Sequence, residues 1–145
     1  MLEEQSIDIA LYQIDTEGEQ RNKEKFINFF YLMNFWMNIL EEGKEVASFF
    51  VNNQYQNAAI YGLGLLGKHL QNQLENSNFP VVYTIDKNIV QYNDSEYRLT
   101  DATDIISKAD VIVVTPIMEY ALIKEKLMRL TSSKIISLEE VILSI

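Results

Sequence analysis

The stretch "IYGLGLLG", Ile60 to Gly67, decides the fold. The chain of 145 residues has five glycines, and three of them, Gly62, Gly64 and Gly67, fall within this run. An apolar run, "AAIY", precedes them, and "LLGKHLQNQLEN" follows with helical spacing through Leu66, Leu70 and Leu74. Glycines spaced G-x-G-x-x-G between a strand and a helix form the dinucleotide-binding fingerprint. The first permits a tight turn, the second lets a phosphate approach bare backbone, and the third lets the helix pack closely on the strand. A helix beginning at Leu65 and Leu66 points free N–H groups and the positive end of its dipole at an anion.

The flanking segments extend this pattern. "VVYTID", Val81 to Asp86, is a β-branched run whose last residue lies 24 positions after Gly62 and 19 after Gly67. An acid there accepts hydrogen bonds from ribose hydroxyls and repels a 2′-phosphate, which favours NAD-like over NADP-like ligands. Lys87 is placed to reach a 2′-phosphate and keeps NADP open. "VIVVT", Val111 to Thr115, is unbroken, as expected of a strand covered on both faces. Thr115 and Pro116 then stand at the crevice edge, either bonding a ribose or phosphate or only shaping the turn. "MEYALIKEKLMRL" reads as a helix, "KIISL" as a strand and "EEVILSI" as a short helix. The interval between Asp86 and Asp110 is expected to hold a weak strand, Glu96 to Leu99, and a helix, Asp101 to Ala109, capped by Thr100. Residues 57–145 are therefore expected to form an α/β, Rossmann-like domain with a parallel five-stranded sheet in order 3-2-1-4-5.

Residues 1–56 read as an N-terminal helical extension. Ile7 to Leu11 suits a short strand or a helix turn, and Gly18 reads as a break. Phe26, Phe29, Phe30, Met33, Trp36, Met37 and Leu40 recur at three- and four-residue spacing, which predicts a helix over 21–42 stopped by Gly43. A second helix fits Lys44 to Val51. The run Phe26 to Leu40 is fifteen residues long and contains three asparagines, whereas a membrane span needs about 20 mostly apolar residues. Its apolar surface exceeds one stripe. That excess points to a homodimer through helix 21–42, the alternative being a helix sandwiched within one subunit.

A net charge of −9 repels phosphate backbones and anionic headgroups, so neither nucleic acid nor a membrane surface is an expected partner. With no cysteine, disulfides, thiolate metal sites and cysteine nucleophiles are excluded. The acidic N-terminus lacks the basic segment of a secretion signal, and a cytoplasmic setting is expected. Tyr120 and Lys124 match the Y-x-x-x-K pair of short-chain dehydrogenases, but Tyr120 falls on an apolar helix stripe. His69, the one histidine, is too little for a metal site. No catalytic residue and no metal ligand is assigned.

With these residues in place, the chain resembles a small Rossmann-like domain of bacterial surface-polysaccharide loci, of the nucleoside-diphosphate-sugar epimerase-like or NAD(P)-binding type. The resemblance rests on Trp36 and "EGKEV", "YQNAAIYGLGLLGKHL", "YTIDKN", "ADVIVVTPI" and "KIISLEEVI". It implies a nucleotide-binding module of capsule or exopolysaccharide synthesis. The ligand would be NAD (or NADP) or a nucleotide sugar, with Gly62, Gly64, Gly67 and Asp86 in the binding role and Thr115 and Pro116 lining the same crevice. It also implies epimerase- or dehydrogenase-like chemistry without the substrate domain of a complete epimerase. The alternative is a non-catalytic ligand-sensing, dimerisation or assembly module.

Overall fold

A computed structural model describes residues 16–86, 89–92, 97–99 and 109–145. The expected features at Ile7 to Leu11, Lys87, Glu96 and the capped helix at 100–108 lie outside the described residues. In chain order the elements are α1 (Thr16–Glu41), α2 (Ala47–Asn52), β1 (Ala58–Tyr61), α3 (Leu65–Asn76), β2 (Val81–Asp86), β3 (Ile89–Tyr92), β4 (Tyr97–Leu99), β5 (Val111–Val114), α4 (Tyr120–Met128), β6 (Lys134–Ser137) and α5 (Leu138–Leu143).

The protein is α/β, and its sheet is built on four parallel strands in the spatial order β2-β1-β5-β6. This corrects the expected five parallel strands in order 3-2-1-4-5. The strand after β2 turns back on it: β3 pairs antiparallel with β2, and β4 pairs antiparallel with β3 at the far edge. The reason is chain length. Asp86 pairs with Ile89, so two positions separate the strands, and a parallel crossover needs a dozen or more. The expected strand near Glu96 to Leu99 is therefore the outer arm of an antiparallel edge.

Two apolar layers flank the sheet. Along β1 and β5, Ala58, Ile60, Val111 and Val113 face one core, while Ala59, Ile112 and Val114 face the other. This follows the two-residue alternation of a strand and explains the unbroken apolar sequence of β5. The first core is closed by Leu66, Leu70 and Leu74 of α3, by Leu138, Val141 and Ile142 of α5, and by Leu32, Trp36 and Ile39 of α1. Leu127 of α4 closes the second, with Tyr120, Ile123 and Leu130 packed around it. The N-terminal helix thus shares its core with the sheet. Polar locks align the strand starts: Gln56 N–H donates to the Asp110 carboxylate at 2.7 Å and Asp110 N–H donates to Asn57 Oδ1 at 2.7 Å.

Helix α1 begins at Thr16, so Gly18 lies inside its first turn and is not the expected break. First-turn amides need no intrahelical acceptor, and a glycine there disrupts little. Gly43 ends α1 as expected. Its φ is +76°, its N–H bonds Leu40 C=O at 3.0 Å, and Lys44 N–H bonds Ile39 C=O at 3.1 Å. This is the paired hydrogen-bond pattern of a left-handed glycine stop. Among the described residues no helix is long and apolar enough to cross a membrane.

Candidate functional site

The carboxyl ends of β1, β2 and β5 converge on one cavity of about 490 Å³. The turn from β1 into α3 forms its floor, and each glycine there has a separate geometric reason. Gly62 has φ +93°, and a Cβ on it would stand 2.7 Å from Thr115 Oγ1 and 2.8 Å from Pro116 Cδ. Both the conformation and the space therefore exclude a side chain. A Cβ on Gly67 would fall on the carbonyl oxygen of Gly62, so only glycine lets α3 come this close to β1. Gly64, the N-cap of α3, has an ordinary φ of −71°, and a Cβ there would meet nothing within 4 Å. Neither backbone strain nor packing demands glycine at this position; its bare Cα borders open space in the cavity.

Three amides face the same way. Lys68 N–H is the first in α3 to bond back, to Gly64 C=O at 3.0 Å. The N–H groups of Leu65, Leu66 and Gly67 thus have no acceptor inside the helix. The loop is held from below by Gly62 N–H donating to Ile85 C=O at 2.7 Å and by Thr115 N–H donating to Tyr61 C=O at 3.0 Å. Thr115 is 3% exposed. Its hydroxyl lies 2.7 Å from Gly62 C=O and 3.0 Å from Tyr61 C=O. Its one proton is committed to this backbone, which fits the turn-shaping role better than a ribose or phosphate contact.

Gly62, Gly64, Leu65, Leu66, Gly67, Asp86, Thr115 and Pro116 all line the cavity. Lys87 lies outside the described residues. Asp86 ends β2 with its side chain exposed, beside the glycine turn. Lys25 and Phe29 of α1 also line the cavity and were not anticipated as site residues. The spacing puts Lys25 and Phe29 on one helix face but carries no link from that face to the glycine turn. The stripe of partly buried Phe29 and buried Leu32, Trp36 and Ile39, carried one turn back, arrives at Lys25. Lys25 is the only lysine or arginine among the described lining residues, and Asp86 and Glu119 are the acids. Ile117, Met118 and Ile123 supply apolar wall. Asn28 Nδ2 lies 3.1 Å from Met118 Sδ, tying α1 to the loop beyond Pro116.

Tyr120 and Lys124 do not line the cavity. The Tyr120 hydroxyl donates to Ile135 C=O at 3.3 Å, and the Lys124 ammonium sits 5.7 Å from the Tyr120 ring centroid. His69 is also outside the cavity, with its ring edge-to-face against Trp36 at 6.2 Å. Among the described residues no group of three or more histidine, aspartate or glutamate side chains is arranged to hold a metal.

The fold and site define an α/β domain with a glycine-turn cavity at the carboxyl edge of a parallel sheet. Comparison with protein-family models, curated proteins and solved structures finds no match for the chain.

Proposed function

We propose that the cavity binds a nucleotide with a diphosphate, NAD-like or a nucleotide sugar, with the diphosphate on the amides of Leu65, Leu66 and Gly67. The observation that carries this reading is Gly64. Gly62 and Gly67 are explained by the fold, but Gly64 is free of strain and of neighbours, and its bare Cα leaves room for an anion at a helix N-terminus. The volume of about 490 Å³ falls in the range of small-molecule sites. In this reading Asp86 accepts from ribose hydroxyls, Lys25 meets the phosphates and the apolar wall receives a base; the support is that all of them line the one cavity. Backbone amides and a helix dipole let a chain of net charge −9 hold an anion.

A ligand-sensing or assembly module is the better form of this reading than an oxidoreductase or epimerase. The support is that Tyr120 and Lys124, the one acid–base pair with a catalytic spacing, bond away from the cavity. Bacterial surface-polysaccharide synthesis is the setting that the resemblance suggests.

The test is to denature the purified protein, identify released small molecules by mass spectrometry, and titrate the emptied protein with NAD, NADP and UDP-sugars by calorimetry. A nucleotide diphosphate is expected. Asp86→Ala should weaken a ribose-bearing ligand by about 1.5–3 kcal/mol, the worth of a hydrogen bond to a charged group. Unchanged affinity in that variant would remove Asp86 from the site.

A further inference from the structure

Helix α1 carries a second apolar stripe that the fold leaves largely open: Phe26, Phe30, Met37 and Leu40 are exposed, and Met33 at its middle is partly buried against the core. Phe26, Phe30, Met33, Met37 and Leu40 follow one another at spacings of four, three, four and three residues. This is the repeat of a helix-to-helix seam. Yet Phe26 is 72% exposed, Phe30 67% and Met37 53%. The buried stripe that packs on the sheet is a different one, one residue out of phase. An exposed apolar row of this length on a soluble chain marks an interaction surface.

We propose that this seam pairs with the same seam of a second copy, antiparallel, about a twofold axis between Tyr31 and Leu32. The charge pattern chooses both partner and direction. One turn before Phe26 the seam reaches Lys23, and directly after Leu40 comes Glu41; both side chains are exposed. In a parallel pair Lys23 would meet Lys23 and Glu41 would meet Glu41. In an antiparallel pair each Lys23 meets the Leu40 end of the other helix, beside Glu41. Its aliphatic stem covers the leucine while its ammonium reaches the carboxylate. In this register Phe30 faces Met33 of the other copy and Phe26 faces Met37. In this register every seam position from Lys23 to Leu40 opposes another seam position inside α1, which ends at Glu41, whereas sliding one heptad back would oppose Met37 with Glu19. Sliding one heptad further would oppose Phe26 with Lys44, beyond the helix end. A twofold pair is the closed arrangement for one self-complementary patch.

The cysteine-free chain makes direction measurable. In the antiparallel pair Phe26 stands opposite Met37 of the other copy, and the two Phe26 positions are about 16 Å apart along the axis at 1.5 Å per residue. Disulfides need Cα atoms within about 7 Å. Under oxidation the double variant Phe26→Cys/Met37→Cys should therefore give covalent dimers, and Phe26→Cys alone should not. Sedimentation of the unmodified protein should show a dimer. Phe30→Glu should be monomeric with an unchanged circular dichroism spectrum, because Phe30 contributes little to the core. Lys23→Glu should weaken association several-fold, and adding Glu41→Lys should restore it. A protein that stays monomeric at high micromolar concentration, or a dimer indifferent to Phe30→Glu, overturns the seam. Cross-linking by Phe26→Cys alone overturns the direction.

Discussion

Gly64 and Gly67 are three residues apart, yet their replacement should fail in opposite ways. A methyl at Gly67 collides with the carbonyl oxygen of Gly62, a backbone atom that also accepts the Thr115 hydroxyl at 2.7 Å. It cannot rotate aside; the α3–β1 contact must open. Overpacking of this kind costs about 3 kcal/mol, and the better helix propensity of alanine returns about 1 kcal/mol. Gly67→Ala should therefore lose about 2 kcal/mol, a fall in Tm of about 8 °C for a chain of this size. Gly64→Val meets no atom and keeps an allowed φ, so its stability should stay within about 1 kcal/mol of the parent. Its side chain, however, enters the space assigned to the diphosphate. Affinity for the released nucleotide should fall at least tenfold, about 1.4 kcal/mol. Thermal unfolding and calorimetric titration of both variants provide the assay. If Gly64→Val binds like the parent, the diphosphate does not rest on this turn and the proposed function is refuted. If Gly67→Ala melts unchanged, the close-packing account of the third glycine is wrong.

Three further outcomes follow from the same geometry. Thr115→Val keeps the shape but removes the hydroxyl that bonds Gly62 C=O, and should cost about 1–3 kcal/mol in urea denaturation, the penalty of a buried acceptor left unpaired. Lys25→Ala should weaken the nucleotide by about 1 kcal/mol, with the loss shrinking as salt is added, because the ammonium is solvent-exposed and screened; a loss independent of salt would assign Lys25 a packing role instead. Trp36→Phe removes the 2.7 Å bond from Trp36 Nε1 to Gln73 Oε1 in a side chain only 2% exposed, and should lower stability by about 2–4 kcal/mol with no change at the cavity's polar residues.

The parallel half of the sheet was legible because its signals are local. β1, the glycine turn and α3 are adjacent in sequence, and the five consecutive apolar or β-branched residues from Val111 can only be a strand buried on both faces. The antiparallel edge was not legible in the same way. "NIVQY" has only two β-branched residues, Ile89 and Val90, and the sequence points to one weak strand further on, at Glu96 to Leu99. The decisive fact was the two-residue spacing after Asp86, which permits a hairpin and forbids a crossover. At the site, the glycines and Asp86 announced themselves by spacing. Lys25 did not, because it lies 37 residues before Gly62, and no local pattern links a helix residue to a loop that distant. Thr115 was legible as a crevice residue but not as a brace, since that role depends on a carbonyl brought to it by tertiary packing.

The two stripes of α1 explain why that helix is so aromatic. Lys25, Phe29, Leu32, Trp36 and Ile39 form one row, and Phe26, Phe30, Met33, Met37 and Leu40 form another, each member one residue later than its counterpart. One residue is about 100° of helix rotation, so the rows face two directions at 3.6 residues per turn. The inner row builds the core and ends in a cation at the cavity; the outer row is the seam, exposed except at Met33, which packs partly on the same core. A single rigid rod therefore carries both a wall of the ligand site and the proposed contact with a second copy. Movement of α1 on ligand binding would be resisted by the Trp36–Gln73 bond to α3, the helix that carries the phosphate-facing amides. Coupling between occupancy and association has one route through that contact and a second through Lys25 and Phe29, which line the cavity directly. The Trp36→Phe variant, compared in dimer affinity with and without nucleotide, reads the first directly: coupling present in the parent should diminish in the variant, while coupling that persists must run by another route.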